Sequence, residues 1–123
     1  LVTVADGDKE EALPLIRRFY NLGFNIQATE GTALFLKKNG IRTHMLGKIS
    51  EGSSEIPEAI RQGYVTYVIN TRDVSSSDVL SDGHEIRRCA VENNVTMFTS
   101  LDTVRVMLDV LEEMTLGIST IDA

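Results

Sequence analysis

The sequence predicts an α/β fold, a three-layer α/β/α sandwich built on a five-stranded parallel sheet. Three observations predict it. Five short runs rich in β-branched and aromatic residues punctuate the chain. Amphipathic stretches of helical period separate them, so each strand returns to the sheet through a helix instead of a hairpin. The length, 123 residues, suits one compact domain spanning 1–123.

The elements follow in order. Leu1-Val2-Thr3-Val4 is apolar and β-branched, and Ala5-Asp6-Gly7-Asp8 turns the chain. Between Lys9 and Leu22, residues Ala12, Leu13, Ile16, Phe19 and Tyr20 form one helical stripe. Pro14 lacks a backbone donor and suits only a first turn, so the helix is expected to start near Glu10 to Ala12 or to bend. Gly23 ends it in the left-handed conformation. Phe24 to Ala28 is the second strand, and Thr29-Glu30-Gly31-Thr32 turns into a helix over Ala33 to Lys38.

Thr43 to Leu46 is the third strand, followed by a loop from Gly47 to Ser54. Ser54 is expected to cap a short helix to Gln62, with Pro57 in its first turn. Thr66 to Asn70 is the most apolar strand, and the serine- and aspartate-rich stretch Arg72 to Ser81 reads as a loop. Asp82 and Glu85 suggest a capping box for a helix ending at Asn93-Asn94. Val95 to Thr99 is the fifth strand. Ser100 then caps a last helix with Leu101, Val104, Leu108 and Leu111 on one face, expected to end at Gly117.

Composition narrows the function. Twelve Lys and Arg against 18 Asp and Glu give a net charge of −6, which argues against a nucleic-acid surface. Apolar runs such as Tyr67-Val68-Ile69 fall far short of the ~20 residues that span a membrane. The single Cys89 has no partner for an internal disulfide, so a reducing, cytoplasmic setting is expected. Leu1 opens directly on a strand-like run, which reads as a piece of a longer chain.

In parallel sheets of this kind, ligands sit beyond the carboxyl ends of the strands. Lys9 follows strand one, Thr29, Gly31 and Thr32 follow strand two, Lys48 follows strand three, and Asn70-Thr71-Arg72 closes strand four. Cations, hydroxyls and a helix N-terminus on one rim are the ingredients of a phosphate site. Gly31 would let a phosphate approach the backbone. Such a pocket requires strands one and four to be neighbours, and right-handed crossovers then give the order 3-2-1-4-5. His44 and His84 have no metal partners at the usual spacing, and Cys89 reads as a small buried residue. Neither a Gly-x-Gly-x-x-Gly fingerprint nor a P-loop occurs.

Gly7-Asp8-Lys9, Gly23-Phe24, Ala28-Thr29-Glu30-Gly31-Thr32, Lys48, Glu51-Gly52, Ile69-Asn70-Thr71 and Asp82-Gly83-x-x-Ile86-Arg87-Arg88 occur in a familiar order and spacing. They resemble the methylglyoxal-synthase-like domain at the carboxyl end of the carbamoyl-phosphate synthase large chain. The resemblance covers nearly the whole chain, weakening at Val74 to Ser81 and after Met114.

It implies an allosteric domain with no catalytic residue and no metal of its own. It would bind a phosphorylated effector such as UMP, IMP or phosphoribosyl pyrophosphate. Carried over by position, Lys9, Thr29, Gly31, Thr32 and Lys48 would hold the effector phosphate. Thr3, Asn70, Thr71 and Arg72 would face the ribose or base. Arg72 departs from the Asn-Thr-Thr run of enteric-type sequences and could read an added phosphate. The implied partners are the rest of the large chain and a glutamine amidotransferase small chain. The parent enzyme would use ATP with Mg or Mn, serving pyrimidine and arginine synthesis.

The alternative is methylglyoxal synthase itself, which eliminates phosphate from dihydroxyacetone phosphate. That chemistry needs a carboxylate base in a Gly-Gly-Asp turn after strand three. The turn here reads Glu51-Gly52-Ser53, although Asp73 matches a second acidic position. The cyclohydrolase domain of purine biosynthesis shares the fold but not the Asp-Gly-x-x-Ile-Arg-Arg run.

Overall fold

A computed structural model describes residues 1–71 and 82–122. Strands β1 (Val2–Thr3), β2 (Ile26–Thr29), β3 (Thr43–Leu46), β4 (Tyr67–Asn70) and β5 (Thr96–Phe98) alternate with helices. The helices are α1 (Lys9–Asn21), α2 (Glu30–Lys38), α3 (Glu55–Arg61), α4 (Asp82–Glu92) and α5 (Leu101–Asp122). The sheet order is β3-β2-β1-β4-β5 and every pairing is parallel, as expected from the sequence.

Period-two alternation sorts the strand side chains onto two faces. Val2, Val4, Ala28 and Ile69 pack with α1, α2 and α5 through Ile16, Phe19, Leu36, Val104 and Leu108. Leu46 and Val68 pack on the other face with α3 and α4, through Ile56, Ile60, Ile86 and Cys89. Fully burying a side chain such as Ile16 or Leu108 stabilises by about 1.5–3 kcal/mol. The two cores fix the sheet, and the sheet fixes where the strand ends lie.

Several boundaries differ from the sequence reading. Helix α1 starts at Lys9, because a 3-10 turn over Asp6–Asp8 feeds straight into it. Pro14 therefore sits inside the helix, where it removes one backbone donor, on an exposed side of α1. Helix α2 starts at Glu30, so Gly31 and Thr32 form its first turn. Ser54 makes no side-chain cap at α3; Ser53 Oγ accepts from the Glu55 N–H at 3.2 Å instead. The expected Asp82–Glu85 capping box involves the Asp82 side chain, which lies outside the described residues; Glu85 pairs with Arg88 at 2.6 Å, an i,i+3 surface pair. Helix α5 runs through Gly117, one unfavourable residue being outweighed by the turns on either side. The loop from Arg72 to Ser81, with Asp73, lies outside the described residues.

Candidate functional site

Parallel register brings the ends of β1, β2, β3 and β4 to one rim. Val2 lies between Ala28 and Ile69, and Thr29 lies beside Leu46. Every residue that follows these positions therefore emerges on the same edge of the sheet. The sequence has to supply only the right residue types there.

The polar groups at the rim are tied together. Thr3 Oγ1 donates to Asn70 Oδ1 at 3.0 Å, and both residues are buried. The Val4 N–H donates to Thr32 Oγ1 at 3.4 Å, and the Ala5 N–H donates to Thr71 Oγ1 at 3.2 Å. The Thr71 N–H reaches the Thr3 carbonyl at 3.1 Å. Buried polar groups persist only when bonded in this way, so the network locks the crossing of β1, α2 and β4.

Above that lock sits the N-terminus of α2. Thr29 occupies its N-cap position with an extended backbone, yet its hydroxyl makes no capping bond. The first-turn N–H groups of an α-helix have no intrahelical partners, and they carry the positive end of the dipole. Lys9 reaches across from the start of α1. Its Nζ lies 3.7 Å from the point where a Cβ on Gly31 would stand. The Lys9 side chain is only 20% exposed, and its ammonium pairs with the outlying Asp6 carboxylate at 2.6 Å. An ammonium held beside glycine backbone at a helix N-terminus is suited to an anion.

Lys48 follows β3 at the neighbouring strand end, at the head of a 3-10 turn over Ile49–Glu51. Gly52, at φ +87°, closes that turn in a conformation glycine adopts without strain. Glu55 holds the loop. Its Oε1 accepts from the Gly47 N–H at 3.2 Å and from Ser53 Oγ at 3.4 Å. Ser53 presses so closely on Gly47 that a Cβ there would meet Ser53 Oγ at 2.6 Å.

Of the expected site residues, Lys9, Thr29, Gly31, Thr32, Thr3, Asn70 and Thr71 gather at one rim, with Lys48 on the adjoining strand end. Arg72 lies outside the described residues. The roles of Gly47 and Glu55 escaped the sequence reading, because Glu55 looks like an ordinary first-turn helix residue. A hollow of about 280 Å³ also escaped it, lined by Asp8, Glu11, Thr71, Thr99, Ser100 and Asp102. The Ser100 cap was the one available signal; its Oγ accepts from the Asp102 N–H at 3.2 Å. A different cavity, of about 240 Å³, lies at the opposite edge of the sheet.

His44 is exposed and His84 half-buried near the start of α4. Among the described residues, no group of three His, Cys, Asp or Glu side chains could hold a metal ion. Likewise, no helix among them is long and apolar enough to cross a membrane. Burial, with the nearby Glu85 carboxylate, pushes the Cys89 thiol above its ordinary range.

Comparison with known proteins is consistent with this geometry. The family model for the MGS-like domain matches residues 11–99. A crystal structure of methylglyoxal synthase from Elizabethkingia anophelis NUHP1 superposes with a TM-score of 0.70 at 19% sequence identity. The match covers 87% of this chain and 74% of that one. At that identity the likeness is one of fold.

Proposed function

The chain belongs to the MGS-like domain family, and from that premise we propose that it is a regulatory module that binds a phosphorylated small molecule without transforming it. The ligand would be a nucleotide-type effector of the class of UMP, IMP or phosphoribosyl pyrophosphate. The parent would be the large chain of a glutamine-dependent carbamoyl-phosphate synthase, working with an amidotransferase small chain and ATP with Mg or Mn. The observation that carries this reading is the Lys9 ammonium beside Gly31 at the mouth of α2. Lys9, Gly31, Thr29, Thr32 and Lys48 take the phosphate; Thr3, Asn70, Thr71 and Arg72 serve the ribose and base side.

In this reading the module works by differential affinity alone. The α2 N–H groups and two lysines neutralise the phosphate, and the Thr3–Asn70 lock holds those donors in place before the ligand arrives. The effector shifts catalysis in distant domains only as far as it prefers one of two states, typically 1–3 kcal/mol. The fold likeness to a methylglyoxal synthase favours a second reading, a phosphate-eliminating lyase. Against it stands the turn after β3, where Ser53 bonds Glu55 and offers no carboxylate base.

A thermal-shift screen with inorganic phosphate, UMP, IMP and phosphoribosyl pyrophosphate tests the binding claim. A true ligand at a hundredfold its Kd stabilises by about 2.7 kcal/mol. Lys48→Ala should lose that shift, because a charge-assisted bond contributes roughly 1.5–3 kcal/mol. Incubation with dihydroxyacetone phosphate should yield no methylglyoxal. Turnover that disappears in Glu51→Gln would replace the regulatory reading with the lyase one.

A further inference from the structure

A carboxylate of the chain itself stands at the ammonium of the rim. Strand β1 ends at Thr3, and the 3-10 turn over Asp6–Asp8 leads from it into α1. That turn is pinned at its start. The Ala5 N–H donates to Thr71 Oγ1 at 3.2 Å, and the Ala5 carbonyl accepts from the Asp8 N–H at 2.9 Å. The Lys9 N–H closes the turn on the Asp6 carbonyl. Side chains three residues apart eclipse in a 3-10 turn. Asp6 therefore stands over Lys9, and its Oδ1 accepts from Nζ at 2.6 Å.

The two side chains differ sharply in exposure, 20% for Lys9 and 92% for Asp6. The ammonium is set into the fold beside Gly31, while the carboxylate reaches out into solvent. An exposed pair of this kind adds little to stability. Its charge counts at the site instead. An ammonium has three donors, so one can hold Asp6 while another meets a phosphate oxygen at about 2.7–2.9 Å. Carboxylate and phosphate oxygens then lie about 5 Å apart across one cation. In water, repulsion between two unit charges at that distance weakens binding about fourfold, and salt at about 0.1 M reduces this to about twofold. Each further unit of charge on the ligand multiplies the penalty again.

We propose that Asp6 is a specificity-determining residue of the rim, a negative charge beside the anion-binding ammonium that admits a phosphate monoester and turns away a pyrophosphate or polyphosphate at that position. This rests on the reading of the rim as a phosphate site and narrows it to ligands that present a single phosphate group to Lys9. Asp6 cancels one of the two lysine charges, which leaves the rim poorly matched to a highly charged anion. Thr29, 4% exposed, has a hydroxyl that makes no capping bond, and so offers a donor at the mouth of α2 without adding charge.

The test titrates methyl phosphate, and separately pyrophosphate, into wild type, Asp6→Asn and Lys9→Ala, with amide chemical shifts as the readout. Asp6→Asn keeps the size of the side chain and an acceptor for Lys9 but removes the charge. At about 0.1 M salt it should bind methyl phosphate about two- to threefold more tightly than wild type, and gain about fivefold or more with pyrophosphate. Both gains should shrink at about 0.5 M salt, a trend that a merely structural role for Asp6 would not produce. Equal Kd values for Asp6→Asn and wild type with both anions, while Lys9→Ala weakens them, would overturn the filter and leave the phosphate site standing. Weaker binding of both anions by Asp6→Asn would also overturn it, because Asp6 would then be a support for Lys9. A Lys9→Ala chain that binds methyl phosphate as wild type does would overturn the placement of the phosphate, and the filter with it.

Discussion

Replacing Gly31 by alanine should move stability and ligand binding in opposite directions. Gly31 lies in the first turn of α2 and does not adopt positive φ, so alanine fits its backbone. The nearest atom to the new Cβ is Lys9 Nζ at 3.7 Å, an ordinary van der Waals contact. Exchanging glycine for alanine in a helix stabilises by roughly 0.5–1 kcal/mol, chiefly through the entropy of the unfolded chain. A domain of this size should gain about 2–6 °C in Tm. A bound phosphate oxygen, however, must come within about 2.7–2.9 Å of the ammonium and the helix N–H groups. The methyl group intrudes on that space. Losing one charge-assisted bond costs roughly 1.5–3 kcal/mol, or about ten- to a hundredfold in Kd. Differential scanning calorimetry and titration calorimetry with the effector identified by the screen read the two effects separately. A variant that is more stable and still binds as wild type would refute the placement of the phosphate at Gly31.

Gly47→Ala drives a Cβ to within 2.7 Å of Ser53 Cβ, so it should destabilise by roughly 1–3 kcal/mol. Adding Ser53→Gly should restore more than half of that loss, which urea unfolding of the four proteins measures as a coupling energy. Thr3→Val keeps the shape but strips Asn70 Oδ1 of a buried donor, and should cost about 1–3 kcal/mol in the same assay. Cys89 should react with thiol reagents far more slowly in the folded chain than in urea, because burial disfavours its thiolate. Equal rates in both would show that α4 opens freely.

How far the sequence could be read depended on which forces act locally. Strand β3 matched its expected bounds because Ile41 and Asn39-Gly40 punctuate it on one side and Gly47 on the other. The parallel order followed from alternating strands and helices together with the handedness of crossovers, which hardly depends on details. Helix starts were read less well. Pro14 and Gly31 both argue locally for a later start, and packing of Ala12 and Ala33 against the sheet overrode them. The rim residues were legible as strand-end positions. The Lys9–Gly31 approach and the Gly47–Ser53 contact were not, since both depend on distances between segments.

The same rim shows why binding and turnover can part company within one fold. Holding a phosphate requires donors fixed in place, and in the proposed reading a helix N-terminus with two lysines would supply them without any proton moving. Eliminating that phosphate requires, in addition, a base within hydrogen-bond reach of the carbon acid and positioned by its surroundings. Ser53 stands in the loop after β3 and Glu55 opens α3 directly behind it, but each is committed to the other. Glu55 Oε1 accepts from the Gly47 N–H and from Ser53 Oγ, while Ser53 Oγ accepts from the Glu55 N–H. To recruit Glu55 as a base, the loop would have to break its bonds to the Gly47 N–H and to Ser53 Oγ, on either side of Lys48 in sequence. In the proposed reading, binding and catalysis would compete for one short segment, whose carboxylate is already engaged by loop donors.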